Sequence, residues 1–317
     1  MGWLGGKERE TGSGRLRLHN AEIVEVRSWD EIQSTLDENG AFEGVPFMPE
    51  MRKYCGKRFR VNKRADKICV EGAYIRRMRD AVFLENVACD GADHDGCKRM
   101  CPVFWKEAWL RRSKLTATHA LMLPPTGLSS SFPVDPEKTY SCQSTELVKG
   151  TEHLSAWDPR QYIRDLIYGN FSVREIAQYM YYFVMNRAYY YSGKTEYGKP
   201  LGENTTTPAE ELGLQPGEVV EVRSREEIIE TLDRSGRNRG LSIDLEMLEF
   251  CGKRYSVLMR CDRIILEKTA KMREVRNTVI LNDMPCSGMC RRGCTRGSLP
   301  MWREIWLKRI SPLPGQR

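Results

Sequence analysis

The sequence lacks any apolar run of the length that a membrane-spanning helix needs, so we expect no membrane span. Its first seven residues, Met-Gly-Trp-Leu-Gly-Gly-Lys, lack the apolar segment of a secretory signal, and position 6 lacks the serine or threonine of a myristoylation signal. We therefore expect a cytoplasmic protein with no membrane partner.

Sequence motifs of several large enzyme classes are also missing. The chain has no glycine-rich phosphate loop, no Gly-x-Ser-x-Gly turn and no His-Glu-x-x-His helix, which excludes the enzyme families that these motifs define. Only four histidines occur, and no Cys–His pairing is common to both halves of the chain. Whether the protein is an enzyme stays open.

The length, hydrophobic content and net charge of the chain exclude few further classes of protein. With 317 residues, 40% of them hydrophobic, the chain is long enough for two or three domains, each with its own core. The formal net charge of +7 permits an anionic partner such as nucleic acid but does not require one, because a solvated basic face is its commoner meaning.

Cysteine is the residue that the chain has in excess. Eleven are many for a protein of a reducing compartment, and an odd number argues against a closed set of disulfides. Several of them cluster in residues 89–101 and 286–294, so metal binding is the economical interpretation.

One cysteine-bearing segment occurs twice in the chain. Residues 21–37 (AEIVEVRSWDEIQSTLD) match residues 217–233 (GEVVEVRSREEIIETLD) at an offset of 196 positions, and the offset is 197 between Trp105 and Trp302. Such self-similarity, with one inserted residue, indicates a duplication. We predict a flexible tail over residues 1–20, a Cys-rich module 1 over 21–113, a linker over 114–216, a Cys-rich module 2 over 217–310 and a tail over 311–317.

Each module has the pattern of a small α+β unit. A β-branched strand at 23–27 precedes a helix whose start is marked by the Ser28–Glu31 capping box, and the helix is expected to end near position 40. A short helical piece at 48–54 and strands at 57–61 and 78–84 follow. The predicted fold class is α+β, with two tandem small SH3-like-barrel-type modules that carry Cys-rich metal-binding loops and are joined by a helical linker.

The segment that closes each module is predicted as a helix with two tryptophans. Trp105 and Trp109 have the i, i+4 spacing of one helix face, which we assign to the core. Lys106 and Glu107 then belong to a solvated opposite face.

The linker is predicted to contain a pair of helices. One helix begins at Asp158-Pro159, and the other begins at the Ser172–Glu175 capping box and stops at Gly193. Tyrosines recur between positions 162 and 191. We expect them to pack half-buried against the modules, with stacking on a nucleic-acid base as the alternative.

Matching the modules gives the candidate metal ligands. Three cysteines coincide, and a fourth lies four residues after the third in module 1 and four residues before it in module 2. The candidates are Cys55, Cys69, Cys89, His94, Cys97 and Cys101 in module 1, and Cys251, Cys261, Cys286, Cys290 and Cys294 in module 2. Thiols one helical turn apart, together with two more distant ones, suit one tetrahedral metal site per module.

Zinc is the predicted metal, and a [4Fe–4S] cluster is the alternative, since four thiolates suit both and spacing does not choose between them. Cysteines without any metal, packed as small buried hydrophobes, are the third interpretation, and Cys142 is the example we expect. His94 is a ligand or a solvated loop residue.

The motifs quoted above, with Cys55-Gly-Lys-Arg-Phe, Cys89-Asp-Gly, His94-Asp-Gly-Cys97 and Phe-Trp-Lys-Glu-Ala-Trp-Leu, resemble a family of uncharacterised bacterial Cys-rich proteins. The resemblance covers nearly all of module 1 and, more loosely, module 2. Module 2 departs from it by having Arg291 where a histidine would fall. If the family's ligands include that histidine, module 2 is a degenerate, structural copy. The resemblance implies no particular reaction.

Three functions follow as hypotheses. The first is a metal-binding accessory or binding component of a bacterial biosynthetic pathway, acting as carrier, scaffold or maturation factor. Its partner would be another protein or a small-molecule pathway intermediate. The second is a metal- or iron–sulfur-dependent biosynthetic enzyme with its site in module 1. The third is a nucleic-acid-binding protein.

Overall fold

The computed structural model describes residues 15–71, 75–117, 134–194 and 196–310. They form the mixed α+β structure that the sequence predicts, in which small antiparallel sheets dominate. No helix among these residues is long and apolar enough to cross a membrane. The predicted tail at 311–317 and positions 1–14 of the predicted N-terminal tail lie outside the described residues.

The first part of the chain builds a five-stranded antiparallel sheet, here called the first sheet. This part of the chain contains β1 (Ile23–Val26), α1 (Trp29–Gln33), β2 (Ala41–Phe42), β3 (Val45–Pro46), a 3-10 turn (Pro49–Tyr54), β4 (Arg58–Arg64), β5 (Arg76–Arg77), β6 (Ala81–Leu84), β7 (Trp105–Lys106), a second 3-10 turn (Glu107–Trp109) and β8 (Leu110–Arg112). Strands β2, β3 and β5 lie outside the five-stranded sheet, in two-stranded pairings. The strand order is β7-β6-β4-β1-β8. Val24 and Val26 of β1 are fully buried because alternate residues of a strand face the core.

The first helix starts where the sequence predicts and ends earlier. The Ser28 hydroxyl accepts a hydrogen bond from the Glu31 amide, and the Glu31 carboxylate accepts one from the Ser28 amide, which confirms the capping box. The helix ends at Gln33 rather than near Gly40. The Asp37 side chain accepts two backbone amides beyond the helix and holds a turn there, which is typical of aspartate.

The linker contains β9 (Glu152–His153), α2 (Arg160–Ile167) and α3 (Val173–Tyr191). The Ser172–Glu175 capping box at the start of α3 is present as predicted. Strand β9 pairs with β5, and Leu147 is buried in the core of the first sheet. This part of the linker therefore packs on the first sheet.

The tyrosines of the linker have mixed surroundings. Tyr179 is fully buried, whereas Tyr181, Tyr190 and Tyr191 are more than half exposed. The expectation that they pack half-buried against the modules is therefore wrong for Tyr190 and Tyr191, which are 71% and 72% exposed, whereas Tyr181 is 52% exposed.

The last part of the chain builds a second five-stranded antiparallel sheet, here called the second sheet. This part of the chain contains β10 (Val219–Val222), α4 (Arg225–Ile229), β11 (Arg237–Asn238), β12 (Leu241–Ser242), a 3-10 turn (Leu245–Phe250), β13 (Arg254–Arg260), β14 (Arg263–Ile265), β15 (Met272–Glu274), β16 (Thr278–Leu281), a 3-10 turn (Met289–Arg291), β17 (Met301–Arg303), a 3-10 turn (Glu304–Trp306) and β18 (Leu307–Arg309). Strands β11 and β12 pair with each other outside the five-stranded sheet, and so do β14 and β15. The strand order, β17-β16-β13-β10-β18, repeats that of the first sheet.

The two sheets also share their register. Val24 lies opposite Phe59, and Val220 lies opposite Tyr255, so both partners shift by the offset of 196 positions. In both sheets the pairing register shifts at the same place, after Val61 and Val257. The sequence repeat is thus a repeat of strand pairing.

The predicted helix with two tryptophans is wrong. Trp105 and Lys106 form β7, and the 3-10 turn follows at Glu107–Trp109. Both tryptophans are fully buried, as expected, but Lys106 and Glu107 are buried too, and Glu107 is paired with Arg64. A spacing of four residues fits a strand and a turn as well as a helix, and aromatic residues favour strands.

The packed part of the chain begins before the first strand. Leu18, which the sequence places in the tail, is fully buried, and its amide donates to Glu107 Oε1 at 2.9 Å. In the second half, the amide of Leu214 donates to Glu304 Oε1 at 3.1 Å. The same anchor therefore precedes both sheets.

The two halves of the chain meet through their cysteine loops, defined here as residues 89–101 (first cysteine loop) and 286–298 (second cysteine loop). The amide of Lys98 in the first loop donates to the carbonyl of Arg263 at 2.9 Å. The amide of Thr295 in the second loop donates to the carbonyl of Lys67 at 2.8 Å. Each loop thus bonds to the opposite half through equivalent residues, as in a symmetric dimer.

Candidate metal centre

The first cysteine loop is a tight turn that depends on a glycine. Gly91 has a φ of +73°, and a Cβ atom there would lie 2.0 Å from the carbonyl oxygen of Cys97. The amide of His94 donates to the Gly91 carbonyl at 3.0 Å, and the amide of Cys97 donates to the His94 carbonyl at 3.0 Å. Only glycine fits this conformation and this close approach, and the turn buries the His94 side chain.

Three side chains with metal-binding atoms meet beside this turn. Cys89 and His94 come from the first cysteine loop, and Glu50 comes from the 3-10 turn Pro49–Tyr54. Their ligand atoms all lie within 4.8 Å of one another. The Cys89 thiol donates a hydrogen bond to Glu50 Oε1 at 3.4 Å. Among the described residues, this is the one group of three or more such side chains that close together.

Two atoms of the group are buried without a hydrogen-bond partner in the part of the chain that the structure describes. They are His94 Nε2 and Glu50 Oε2. The two residues are only 3% and 8% exposed, respectively. Since buried polar atoms normally have a partner, both atoms point to a ligand of this site.

A narrow cavity opens beside the three side chains. Three further thiols, of Cys97, Cys101 and Cys142, are part of its wall, and so is Ile265 from the second half of the chain. The wall also contains Met48, Met100, Pro102 and Val103. The site is therefore a largely apolar cavity with several thiols and one imidazole.

Burial favours the uncharged forms of these side chains. It raises the pKa of Glu50 to about 7, and the neighbouring Asp93 carboxylate acts in the same direction. It also raises the pKa of the Cys89 thiol well above its ordinary value and lowers the pKa of His94. A bound cation would reverse this balance, because a metal ion replaces the protons of its ligands.

The structure brings some of the predicted ligands together and separates others. Cys89, His94, Cys97 and Cys101 lie at the cavity described above. Cys55 and Cys251 each follow a 3-10 turn, and neither is in the wall of the cavity beside its own cysteine loop.

Of the remaining thiols of the predicted set, those of Cys69, Cys261 and Cys294 lie where the two halves meet. Cys261 is buried, and its thiol donates to the carbonyl of Lys98 at 3.5 Å. Cys69 contacts Cys294 of the second loop. Cys286 and Cys290 line a separate cavity beside the second loop.

Sequence reasoning missed two residues of the site. Glu50 has a counterpart, Glu246, at the offset of 196 positions, and this repeat of a carboxylate was the available signal. Cys142, expected as a buried thiol without ligand function, lines the cavity. No local pattern marks it, because its place depends on how the linker packs.

The second half holds a copy of the group with a different bonding pattern. Glu246 and Cys286 correspond to Glu50 and Cys89, and they line the cavity beside the second cysteine loop. Both oxygens of Glu246 are engaged, since they accept the amides of Ser287 and Cys290 at 2.8 and 2.9 Å. The Glu246 carboxylate therefore accepts hydrogen bonds from the backbone of the second cysteine loop.

In the second half of the chain, Arg291 occupies the position that corresponds to His94 in the first half. Its guanidinium is paired with Glu196 at 2.9 Å and with Asp244 at 3.3 Å. A cation cannot serve as a metal ligand, so the second copy lacks the third donor.

No family model, curated protein or solved structure matches this chain. The functional inference therefore rests on the geometry and chemistry of the site.

Proposed function

We propose that this protein binds one transition-metal ion and that Glu50, Cys89 and His94 hold it. The observation that carries the proposal is the closeness of three different donor atoms in a buried cluster. The partnerless Nε2 of His94 and Oε2 of Glu50 support it. The turn that Gly91 permits places the histidine beside the thiol.

Zinc is the metal that suits this donor set best. Thiolate, imidazole and carboxylate are the three donors that Zn²⁺ commonly takes from proteins. A [4Fe–4S] cluster is the alternative, because Cys89, Cys97, Cys101 and Cys142 line one cavity and such a cluster needs four thiolates. Of the two, only the zinc site uses the imidazole and the carboxylate.

Module 2 is, in this proposal, a structural copy without a metal. Its carboxylate, Glu246, holds backbone amides, and its Arg291 neutralises Glu196 and Asp244. One ion per chain, rather than two, is the consequence.

We also propose that each module is an SH3-like unit. The strand order β8-β1-β4-β6-β7, with a 3-10 turn between β7 and β8, supports this assignment, and the order of the second sheet repeats it. In the described residues the edge strands β7 and β8 are not paired with each other, so the sheet is open.

The biological role that we propose is a binding or accessory component of a bacterial biosynthetic pathway, acting as carrier, scaffold or maturation factor. The bacterial setting comes from the resemblance of the signature motifs. The partner in this proposal is a small-molecule pathway intermediate or another protein, which would bind at the apolar wall beside the ligands. Nucleic acid is not favoured, because basic side chains at the sheet edges, such as Arg112 and Arg309, are paired with Glu22 and Glu218.

A metal-dependent enzyme is the second candidate, and one observation favours it. Three protein ligands beside a cavity leave one position of a tetrahedral ion for water or substrate, which is the arrangement of catalytic zinc sites. A binding role with a closed site would instead need one of the nearby thiols as the fourth ligand.

Cobalt replacement tests the site. Full-length protein, reduced and freed of metal, is titrated with Co²⁺, and the thiolate-to-cobalt absorption is followed. We expect one equivalent to bind in the wild type, and Cys89→Ser to abolish the band. The matched control, Cys286→Ser, should leave it unchanged. An unchanged band in Cys89→Ser would contradict the proposal.

The same sample separates the two candidate roles. Azide is added to the cobalt-loaded protein, and the visible spectrum is recorded. A shifted spectrum indicates an exchangeable coordination position and favours the enzyme. An unchanged spectrum indicates a closed site and favours the accessory role.

A further inference from the structure

Each cysteine loop contacts the opposite half of the chain, and these two contacts are called junctions here. At one junction, two cysteines from opposite halves meet. The backbone amide of Cys69, which follows β4, donates to the sulfur of Cys294 in the second cysteine loop at 3.2 Å. Cys294 is 2% exposed, whereas Cys69 is partly exposed. Cys69 is thus the more exposed residue of the two, and Cys294 is enclosed.

The other junction has the equivalent hydrogen bond from a backbone amide to a cysteine sulfur, but its donor residue is not a cysteine. There the amide of Ile265 donates to the sulfur of Cys97 at 3.4 Å. Ile265 lies 196 positions after Cys69, and Cys294 lies 197 positions after Cys97, which are the offsets of the repeat. The packing of the junction therefore does not need a second thiol, and Cys69 is an addition at one junction only.

The surroundings of Cys69 favour its thiolate. The Cys294 thiol hydrogen-bonds to it, and Arg296 lies close by, with its guanidinium 3.4 Å from the Cys69 carbonyl oxygen. Against the opposing effect of burial, these two neighbours lower the pKa of Cys69 to about 7. A thiolate that is partly exposed and next to a second thiol has the features of a reactive cysteine with a resolving partner.

We propose that Cys69 and Cys294 are a redox-active pair that closes to a disulfide between the two halves by exchange with a low-molecular-weight disulfide. The Cys69 thiolate attacks one sulfur of that disulfide, forms a mixed disulfide and releases one small thiolate. The Cys294 sulfur, after losing its proton to solvent, attacks the Cys69 sulfur and releases the second small thiolate. The two protein thiols are oxidised, and the small disulfide is reduced to two thiols.

Closing the bond would tie the segment after β4 to the second cysteine loop. The halves already meet there through the amide of Thr295 and the carbonyl of Lys67. Oxidation would therefore fix the junction in its present arrangement. The metal site that we propose does not include either sulfur, so the pair can act with or without it.

The test uses full-length protein, reduced and then incubated with oxidised glutathione, with metal content measured in parallel. After alkylation and digestion, mass spectrometry should find a peptide pair joined through Cys69 and Cys294. The Cys294→Ser variant should hold glutathione on Cys69. The Cys69→Ser variant should leave Cys294 reduced, and Cys69→Val, which places an apolar side chain there as Ile265 does at the other junction, should do the same.

Two results would overturn the proposal. One is that Cys69 and Cys294 stay reduced in the wild type, or oxidise only with other partners. The other is that Cys69→Val lowers the metal content as Cys89→Ser does, which would make the pair metal ligands. The Cys261→Ser control should form the disulfide as the wild type does. The Cys89→Ser variant should also form it, so loss of the metal site and loss of the redox pair are distinguishable.

Discussion

His94 and Arg291 occupy equivalent positions, 197 residues apart, in the two cysteine loops, yet their bonding is opposite. His94 is buried, and its Nε2 has no partner among the described residues, whereas Arg291 is paired with Glu196 and Asp244. One residue is available as a ligand, and the other is committed to an ion-pair network. The repeat therefore contains one candidate metal site and one stabilised copy.

Exchanging these two residues tests that asymmetry. We expect His94→Arg to remove metal binding, because a guanidinium cannot ligate a cation. We expect Arg291→His to create no second site, because both oxygens of Glu246 hold the amides of Ser287 and Cys290. Zinc per chain, measured on both variants beside the wild type, checks this. Full zinc content in His94→Arg would contradict the ligand assignment.

Breaking the buried ion pair Arg64–Glu107 is expected to lower the free energy of unfolding more than breaking an exposed ion pair does. Both side chains are less than 5% exposed, and their atoms approach to 2.5 Å. Glu107→Gln should lower the free energy of unfolding by about 1–3 kcal/mol, because it removes a charge-assisted hydrogen bond of the buried Arg64 guanidinium, which keeps Asp66 as its other carboxylate partner. Urea unfolding measures the change.

The matched control is an exposed pair of the same residue types. Arg60 and Glu85 are nearly half exposed and lie 3.6 Å apart. Glu85→Gln should change the free energy of unfolding by less than about 1 kcal/mol. Equal losses in the two variants would show that burial does not decide the contribution of the Arg64–Glu107 pair.

The ionisation of Glu107 should contribute to the pH dependence of the free energy of unfolding. Burial acts to raise the pKa of this carboxyl, but the Arg64 guanidinium and the amides of Leu18 and Arg17 outweigh it and hold the pKa below the ordinary value of 4.5. A carboxyl with a lowered pKa stabilises the folded state above its unfolded-state pKa, and this contribution is lost as the pH falls through the folded-state pKa.

The stability difference between wild type and Glu107→Gln should therefore be constant near neutral pH and shrink below about pH 4.5. Urea unfolding at a series of pH values measures it. A difference that grew as the pH fell would contradict the assigned direction of the shift.

Gly91 should be more sensitive to substitution than Gly40, although both have positive φ values. At Gly40 a Cβ atom would meet nothing within 4 Å, so Gly40→Ala should cost only the left-handed backbone term of about 1–2 kcal/mol. At Gly91 the Cβ atom would collide with the carbonyl of Cys97 and displace the loop. We expect Gly91→Ala to lose metal binding and Gly40→Ala to keep it, as cobalt absorption would show. Equal cobalt binding in the two variants would contradict this.

Local patterns in the sequence predicted the parts of the fold that depend on neighbouring residues. The capping boxes at Ser28 and Ser172 lie where the patterns placed them, since a cap needs only residues three positions apart. The strand register repeats because the strands themselves repeat. The segment from Trp105 to Trp109 was misassigned because its length is too short for periodicity to separate a helix from a strand and a turn.

The candidate site was predicted only in part, for a similar reason. Cys89 and His94 lie on one loop, so their proximity follows from sequence distance. Glu50 and Cys142 reach the same cavity from a 3-10 turn and from the linker, and no local signal reports such packing. The contact of Cys69 with Cys294 joins residues 225 positions apart and depends on how the halves meet.

The metal content of full-length protein purified without oxygen tests the central claim most directly. Elemental analysis and the visible spectrum should show about one zinc per chain and no visible colour, and His94→Ala should lower the zinc content to near zero. Brown protein that contains iron and sulfide would indicate a [4Fe–4S] cluster on the four thiols of the cavity instead of a zinc site. Protein that holds no metal, or the same metal with and without His94, would contradict the account.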